Sequence, residues 1–150
     1  MAEHTHDVEA TLDQAAAMCA QHGAQLTDLR RQVLGLVLRA EQPVGAYALL
    51  DQLKATRAGA APPTVYRALD FLLEQGLVHR IERLNAFVGC VSAGHAHAHQ
   101  FLICKQCGHA AELHDHAVEH ALDDAARRAG FRPARMTVEM EGVCGGCAAG

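Results

Sequence analysis

Tryptophan is absent from this sequence, and the other aromatics amount to two tyrosines and four phenylalanines. Half of the residues are apolar, so a core can form, but it must be built from aliphatic side chains. No apolar stretch approaches the ~18 residues needed to span a bilayer, so no membrane association is expected. The opening Met-Ala-Glu-His-Thr-His lacks the basic region and apolar run of a secretion signal, which points to a reducing cytoplasm. There, six cysteines are better read as metal ligands than as three disulfides. Positive charge is not in excess either: 13 Lys and Arg stand against 17 Asp and Glu, a net of -4. Binding of nucleic acid by bulk charge is therefore disfavoured. The distribution is uneven, however. Glu3, Asp7, Glu9 and Asp13 precede residue 25 with no base among them, whereas Leu26 to Leu84 carries eight Lys and Arg against six Asp and Glu, a net of +2. That middle segment can meet a phosphate backbone on one face.

The signatures of zinc enzymes are missing as well. There is no His-Glu-x-x-His, and no His-x-Glu paired with Pro-Cys-x-x-Cys as a zinc deaminase requires. His95, His97 and His99 alternate as in some metallohydrolases, but Gln100 follows where a carboxylate would be needed. A zinc-dependent hydrolase is thus the poorer alternative, and the chain is not expected to be an enzyme.

What is present divides into two halves. Residues 8 to 22 read as an Ala-rich helix ended by Gly23. Thr27 can cap a second helix with Leu29, Val33, Leu36 and Val37 at helical spacing. After Pro43 and Gly45, AYALLDQLKATR offers a third helix with Leu49, Leu50 and Leu53 inward. GAAPP breaks the chain, and a fourth helix opens with proline in its first turn and stops at Gly76. LVHRIERL and AFVGCV, joined at Asn85, form a hairpin. Helices leading into a β-hairpin make the winged version of helix-turn-helix, in which the helix before the wing enters the major groove. In the second half, HQFLIC and HAAELH read as strands, Asp115 caps a helix stopped by Gly130, and Met136, Val138 and Met140 mark the buried face of a last strand. About 60 residues of this kind make a thin core. That half is expected to need a metal, a partner chain, or both.

Cys104-x-x-Cys107 and Cys144-x-x-Cys147 supply four thiolates, with 36 residues between the pairs. Two intervening residues let both sulfurs of a pair reach one ion, so the four suit a closed tetrahedral zinc site, which is structural because no position is left for a substrate. A second, mixed set can be assembled from His79, Cys90, His97 and Glu112, a combination that suits Zn²⁺ less tightly than four thiolates. Spacing alone does not single out these four. His114, His116 and His120 resemble an exposed helix face, and a third site using some of them, or His95 and His99, stays open.

PPTVYRALDFLLEQGLVHRIE, followed by one Cys-x-x-Cys and a distant second, resembles the ferric uptake regulator family, and within it the zinc-sensing branch. The resemblance runs from about Ala15 to Cys147. It implies an α+β chain: a winged helix-turn-helix DNA-binding domain over residues 1–84, a hinge over 85–92, and a small α/β dimerisation and metal-binding domain with a four-cysteine zinc site over 93–150. It implies a homodimer that represses zinc-uptake genes from palindromic operators with Zn²⁺ as co-repressor, holding about two zinc ions per protomer. Cys104, Cys107, Cys144 and Cys147 match the structural ligands; His79, Cys90, His97 and Glu112 match the regulatory ones. Tyr66 and Arg67 match the DNA-reading pair, with Tyr47 or Thr64 on phosphate. Arg67 can take guanine bidentately while Tyr66 faces a thymine methyl. A sensor of iron, manganese or peroxide is the rival within the family, and Cys90 opposes it because such sensors favour N and O ligands. Three departures stand out: Asp28 and Leu29 replace the family's Pro-Gln before Arg30, Phe101-Leu102-Ile103 replaces the iron sensors' histidine run, and no Cys/His-rich tail follows Cys147.

Overall fold

A computed structural model describes residues 3–90 and 99–149 of the chain, with side chains from residue 8 onward. The element order is α1 (Glu3–Gln21), α2 (Asp28–Arg39), α3 (Ala46–Lys54), α4 (Pro62–Glu74), β1 (Val78–Ile81), β2 (Ala86–Gly89), β3 (His99–Cys104), β4 (Ala110–Leu113), α5 (His116–Arg128), β5 (Thr137–Gly142) and α6 (Gly145–Ala148). Two compact units contain them, Met1–His95 and Ala96–Gly150. No helix among the described residues is long and apolar enough to cross a membrane.

The first unit is a winged helix with an aliphatic core. α1 starts earlier than its apolar pattern suggests, because no proline or glycine precedes Gly23 to stop it. Thr27 caps α2 by accepting from the Arg30 N–H at 3.4 Å. The buried face of α2 is Val33, Leu34 and Val37, with Leu29 and Leu36 only half-buried. α3 buries Leu49, Leu50 and Leu53 as its pattern requires, but ends at Lys54. Beyond it Thr56 and Arg57 turn back onto α2, Arg57 Nε donating to Gln32 Oε1 at 2.8 Å. Ion pairs from Arg31 to Glu9 and Asp13, and from Arg39 to Glu9, hold α1 to α2; exposed pairs of this kind contribute ~0–1 kcal/mol each. The fold rests instead on buried leucines such as Leu34, Leu49, Leu53, Leu69 and Leu72, each worth about 1.5–3 kcal/mol when fully removed from water.

α4 turns this packing into an orientation. Val65, Ala68, Leu69 and Leu72 recur at i, i+3, i+4 and i+7 and are buried. The helix therefore has no freedom over which face it shows, and Tyr66, Arg67 and Asp70 point outward. Its first turn is fixed by Pro62 and by the Ala61 N–H, which donates to Thr64 Oγ1 at 3.4 Å. Gly76 ends it in the left-handed region at φ 73°, where a side chain would be strained.

The wing follows. β1 and β2 pair antiparallel, Val78 opposite Gly89 and His79 opposite Val88, and Asn85 closes the turn at φ 48°. β2 packs closely on α2: a Cβ at Gly89 would fall 2.4 Å from Leu38 Cδ2. On its other edge β2 meets Val44, the residue ahead of the α3 cap, in an isolated antiparallel bridge with Phe87.

The second unit is a three-stranded sheet ordered β4-β3-β5. β3 pairs antiparallel with β4 and parallel with β5, Cys104 lying opposite Gly142. α5 forms the crossover, its N-terminus capped by Asp115, which accepts from the Ala117 and Val118 N–H groups. Gln100 secures that start by donating Nε2–H to the Asp115 carbonyl at 3.0 Å. The expected buried face of β5 is not realised: Met136 and Val138 are half-buried, but Met140 is 60% exposed. β5 is an edge strand, and α5 buries none of its residues, so this sheet has too little of its own chain to cover both faces.

Candidate metal centres and DNA-reading face

The four cysteines converge because of strand register. Cys104 ends β3 opposite Gly142 of β5, and Cys144 lies two residues beyond, so both pairs emerge at one end of the sheet. Lys105 N–H extends the pairing by donating to the Gly142 carbonyl at 2.9 Å. The turn after Cys104 is closed by the Gly108 N–H, which donates to the Cys104 carbonyl at 2.9 Å. Gly108 itself has φ 76°. After Cys144 the chain winds into α6, a single turn that the sequence pattern does not reveal; Ala148 N–H donates to the Cys144 carbonyl at 2.9 Å.

The four sulfurs all lie within 4.8 Å of one another. Four sulfurs at 2.3 Å from one ion stand about 3.8 Å apart along the edges of a tetrahedron, and Cys107 Sγ and Cys144 Sγ are 3.8 Å apart. The donor set and its spacing thus fit zinc. The surroundings favour thiolate: Cys104 Sγ accepts from the backbone N–H groups of Cys107 at 3.5 Å and Cys144 at 3.4 Å. Those bonds hold the Cys104 thiol down at about 6. Cys147, crowded by the sulfurs of Cys144, Cys104 and Cys107, is pushed up to about 12.

Two further side chains of metal-ligating type stand at the end of the wing. His79 lies opposite Val88, and Cys90 follows two residues later, so both side chains share one face of the hairpin. The Cys90 N–H donates to the Leu77 carbonyl at 2.9 Å, continuing the ladder. Both residues are buried, and a His79 ring nitrogen and Cys90 Sγ lie within 4.8 Å. Glu112 sits on β4 of the other unit, opposite Phe101, with 16% of its side chain exposed and Oε1 4.0 Å from His114 Nε2. Burial raises its carboxyl above the ordinary value, partly countered by His114. His97 and His95 lie outside the described residues. His99 is half-buried on β3, and His114, His116 and His120 are exposed, His116 Nδ1 standing 3.9 Å from Glu119.

The DNA-reading candidates lie in the first turn of α3 and the first two turns of α4. Tyr47 is 70% exposed and Tyr66 45%, and Arg67 is exposed beside it. Thr64 accepts from Ala61 N–H, which leaves its hydroxyl proton to donate outward. Arg30 is engaged elsewhere: its guanidinium lies 3.8 Å from the Phe71 ring centre and donates to the Gln25 carbonyl at 2.8 Å. The features that sequence reasoning misses are backbone ones, the Val44–Phe87 bridge and the contact of Gly89 with Leu38. An isolated Val between Pro43 and Gly45, and a Gly inside a strand pattern, are their only marks.

The chain as a whole is similar to known proteins. Residues 21–141 match the ferric uptake regulator family. The chain is 40% identical over 137 residues to the zinc uptake regulation protein of Escherichia coli (strain K12), covering 91% of this chain and 80% of that one. A solved zinc uptake regulator complexed with zinc and DNA superposes with a TM-score of 0.89 at 38% identity, over 95% of each chain. Holo XcZur superposes with a TM-score of 0.84 at 44% identity, over 94% of this chain and 99% of that one.

Proposed function

The chain belongs to the ferric uptake regulator family, and we propose that it is a zinc-responsive transcriptional repressor acting as a homodimer on palindromic operators of zinc-uptake genes. The observation that carries this reading is the meeting of His79 and Cys90 on one face of the wing. A thiolate with an imidazole selects zinc over iron or manganese. Cys104, Cys107, Cys144 and Cys147 hold one zinc permanently. His79, Cys90, His97 and Glu112 hold a second, making about two per protomer. When bound, that ion supplies the positive charge that a thiolate, imidazoles and a carboxylate would share. A ligand with equal affinity for two arrangements shifts neither, so the four side chains must meet more completely in the DNA-reading arrangement than in any other.

Pairing of two copies has its support in the second unit, where Leu102, Leu122, Phe131, Met140 and Val143 are exposed. Leu102 and Met140 are register neighbours on β3 and β5, so one face of the sheet presents adjoining apolar side chains that a partner can cover. A two-fold dimer reads half-sites of matching symmetry, hence the palindrome. At each half-site Arg67 contacts guanine, Tyr66 a thymine methyl, and Tyr47 and Thr64 phosphate. Such work places the protein in the cytoplasm, with no membrane involved. A site closed by four thiolates and a sensor site give no catalytic centre, so the chain works as a regulator and not as an enzyme.

The test is a titration of Zn²⁺, Fe²⁺ and Mn²⁺ into protein stripped by a mild chelator, following binding to a palindromic AT-rich duplex. Zinc is expected to restore binding at the lowest free concentration. Equal or better restoration by iron or manganese overturns the reading. In zinc-loaded protein, Arg67→Ala is expected to cost about 1–3 kcal/mol of operator affinity, the value of one good bidentate base contact, and to relax preference at one base pair. A loss spread evenly over all sequences would make Arg67 a phosphate contact instead.

A further inference from the structure

Cys90 and Tyr47 are far apart in sequence, yet one short piece of backbone joins the segments that carry them. Phe87, three residues before Cys90, is buried in the core of the first unit. Its N–H donates to the Val44 carbonyl at 2.8 Å, and the Val44 N–H donates to the Phe87 carbonyl at 3.0 Å. Three residues after Val44 comes Tyr47, in the first turn of α3. Gly45 between them is the α3 cap, and its carbonyl accepts from the Leu49 N–H at 3.1 Å. No flexible stretch therefore intervenes between the bridge and the helix.

We propose that the Val44–Phe87 pair is a positioning device that passes the state of Cys90 to Tyr47, making Val44 a positioning residue for DNA contact. The inference rests on the reading above, in which Cys90 is a zinc ligand and Tyr47 touches phosphate.

Three features give the pair this role. First, β2 is held along its length: by β1 on one edge, by Val44 on the other, and through Gly89 against Leu38 of α2. A strand spans about 3.3 Å per residue, so Cys90 is only ~10 Å from the bridge along a segment that cannot buckle without losing ladder bonds. Second, the bridge is the one antiparallel contact between the wing and the chain ahead of α3 among the described residues. Any shift of β2 required to bring Cys90 to an ion moves Val44 with it. Third, Val44 is itself buried and packed in the core, so its displacement is passed on to α3 and is not absorbed by solvent. The coupling needs no change in the fold, only a tightening of a pair that already exists.

Two variants separate the backbone pair from side-chain packing. Val44→Ala keeps both hydrogen bonds, while Val44→Pro removes the N–H but keeps an apolar ring in the core. The full-length protein is titrated with zinc, and affinity for the palindromic duplex is measured with only the structural zinc and with both. Val44→Ala is expected to retain the zinc-induced gain in affinity. Val44→Pro is expected to bind both ions, to keep its low zinc-depleted affinity, and to lose at least tenfold of the gain. A gain within twofold of that of Val44→Ala overturns the proposal, as does an equal loss with and without the second zinc, which marks a purely structural role. Should Val44→Pro fail to fold, amide hydrogen exchange in the unaltered protein decides. Val44 and Phe87 are expected to exchange at least tenfold more slowly once the second zinc is added, in step with Cys90. Slowing at Cys90 alone overturns the coupling while leaving the zinc site intact. If the second zinc changes neither Cys90 nor DNA affinity, the reading of the site falls and the proposal with it.

Discussion

Replacing Cys104 by serine is expected to unfold the second unit and abolish DNA binding, while the winged helix stays folded. Cys104 is the hub of the four-sulfur cluster, accepting two backbone N–H groups, one from each Cys-x-x-Cys. A serine hydroxyl at neutral pH is uncharged and is a far poorer zinc ligand than the thiolate it replaces. The energy at stake is large: a structural zinc contributes about 10–16 kcal/mol of apparent binding energy, as much as the whole stability of a typical domain at roughly 5–15 kcal/mol. The unit has little to set against that loss, since α5 buries none of its residues and β4 none either. The check combines bound zinc by native mass spectrometry, oligomeric state by light scattering, and circular dichroism during heating. The serine variant should lose its tightest zinc, become monomeric, and melt in one step, that of the winged helix, with the second unit already disordered at room temperature. A dimer that melts within a few degrees of the unaltered protein would show that the sheet holds without its ion.

The same cluster shows how far the sequence can be read. Four cysteines in two spaced pairs announce a tetrahedral site without any geometry. What brings them together is the parallel register of β3 and β5, and register depends on partners far along the chain that periodicity does not disclose. The helices of the first unit are legible for the opposite reason. Their apolar faces are local patterns, and Thr27, Gly76 and Asn85 sit where cap and turn chemistry put them. Two differences have physical causes. The sequence pattern carries α3 three residues too far because Ala55, Thr56 and Arg57 suit a helix, and the contact of Arg57 with Gln32 overrides that preference. The alternation along β5 puts Met140 in a core, whereas it lies on a face the single chain leaves exposed. An alternating strand shows which side is apolar, but not whether its own chain or another copy covers it. The pair of His79 and Cys90 is legible only in part: the two become neighbours through hairpin pairing, which the turn at Asn85 already implies.

That pair yields the second large effect. Cys90→Ser is expected to weaken the second zinc by at least a hundredfold while leaving the four-thiolate ion in place. Loss of a group that only orients a ligand typically costs 10–100-fold in metal affinity, and loss of the ligand atom itself must cost at least as much. The effect is specific because the change is confined to one atom. Cys90 is a small buried side chain at the end of β2, its backbone N–H bond to Leu77 survives the substitution, and serine fills nearly the same volume. Fold and dimer should therefore persist. The measurement is a competition titration against a chelator of intermediate strength, run beside a duplex-binding assay at fixed free zinc. The serine variant should retain one tight zinc per protomer and need at least a hundredfold more free zinc to occupy the operator half-maximally. At saturating zinc it should reach the same final affinity, since Tyr47, Tyr66 and Arg67 are untouched. A zinc response that does not move would remove Cys90 from the site, and would leave the burial of a thiol beside His79 as the fact to be explained.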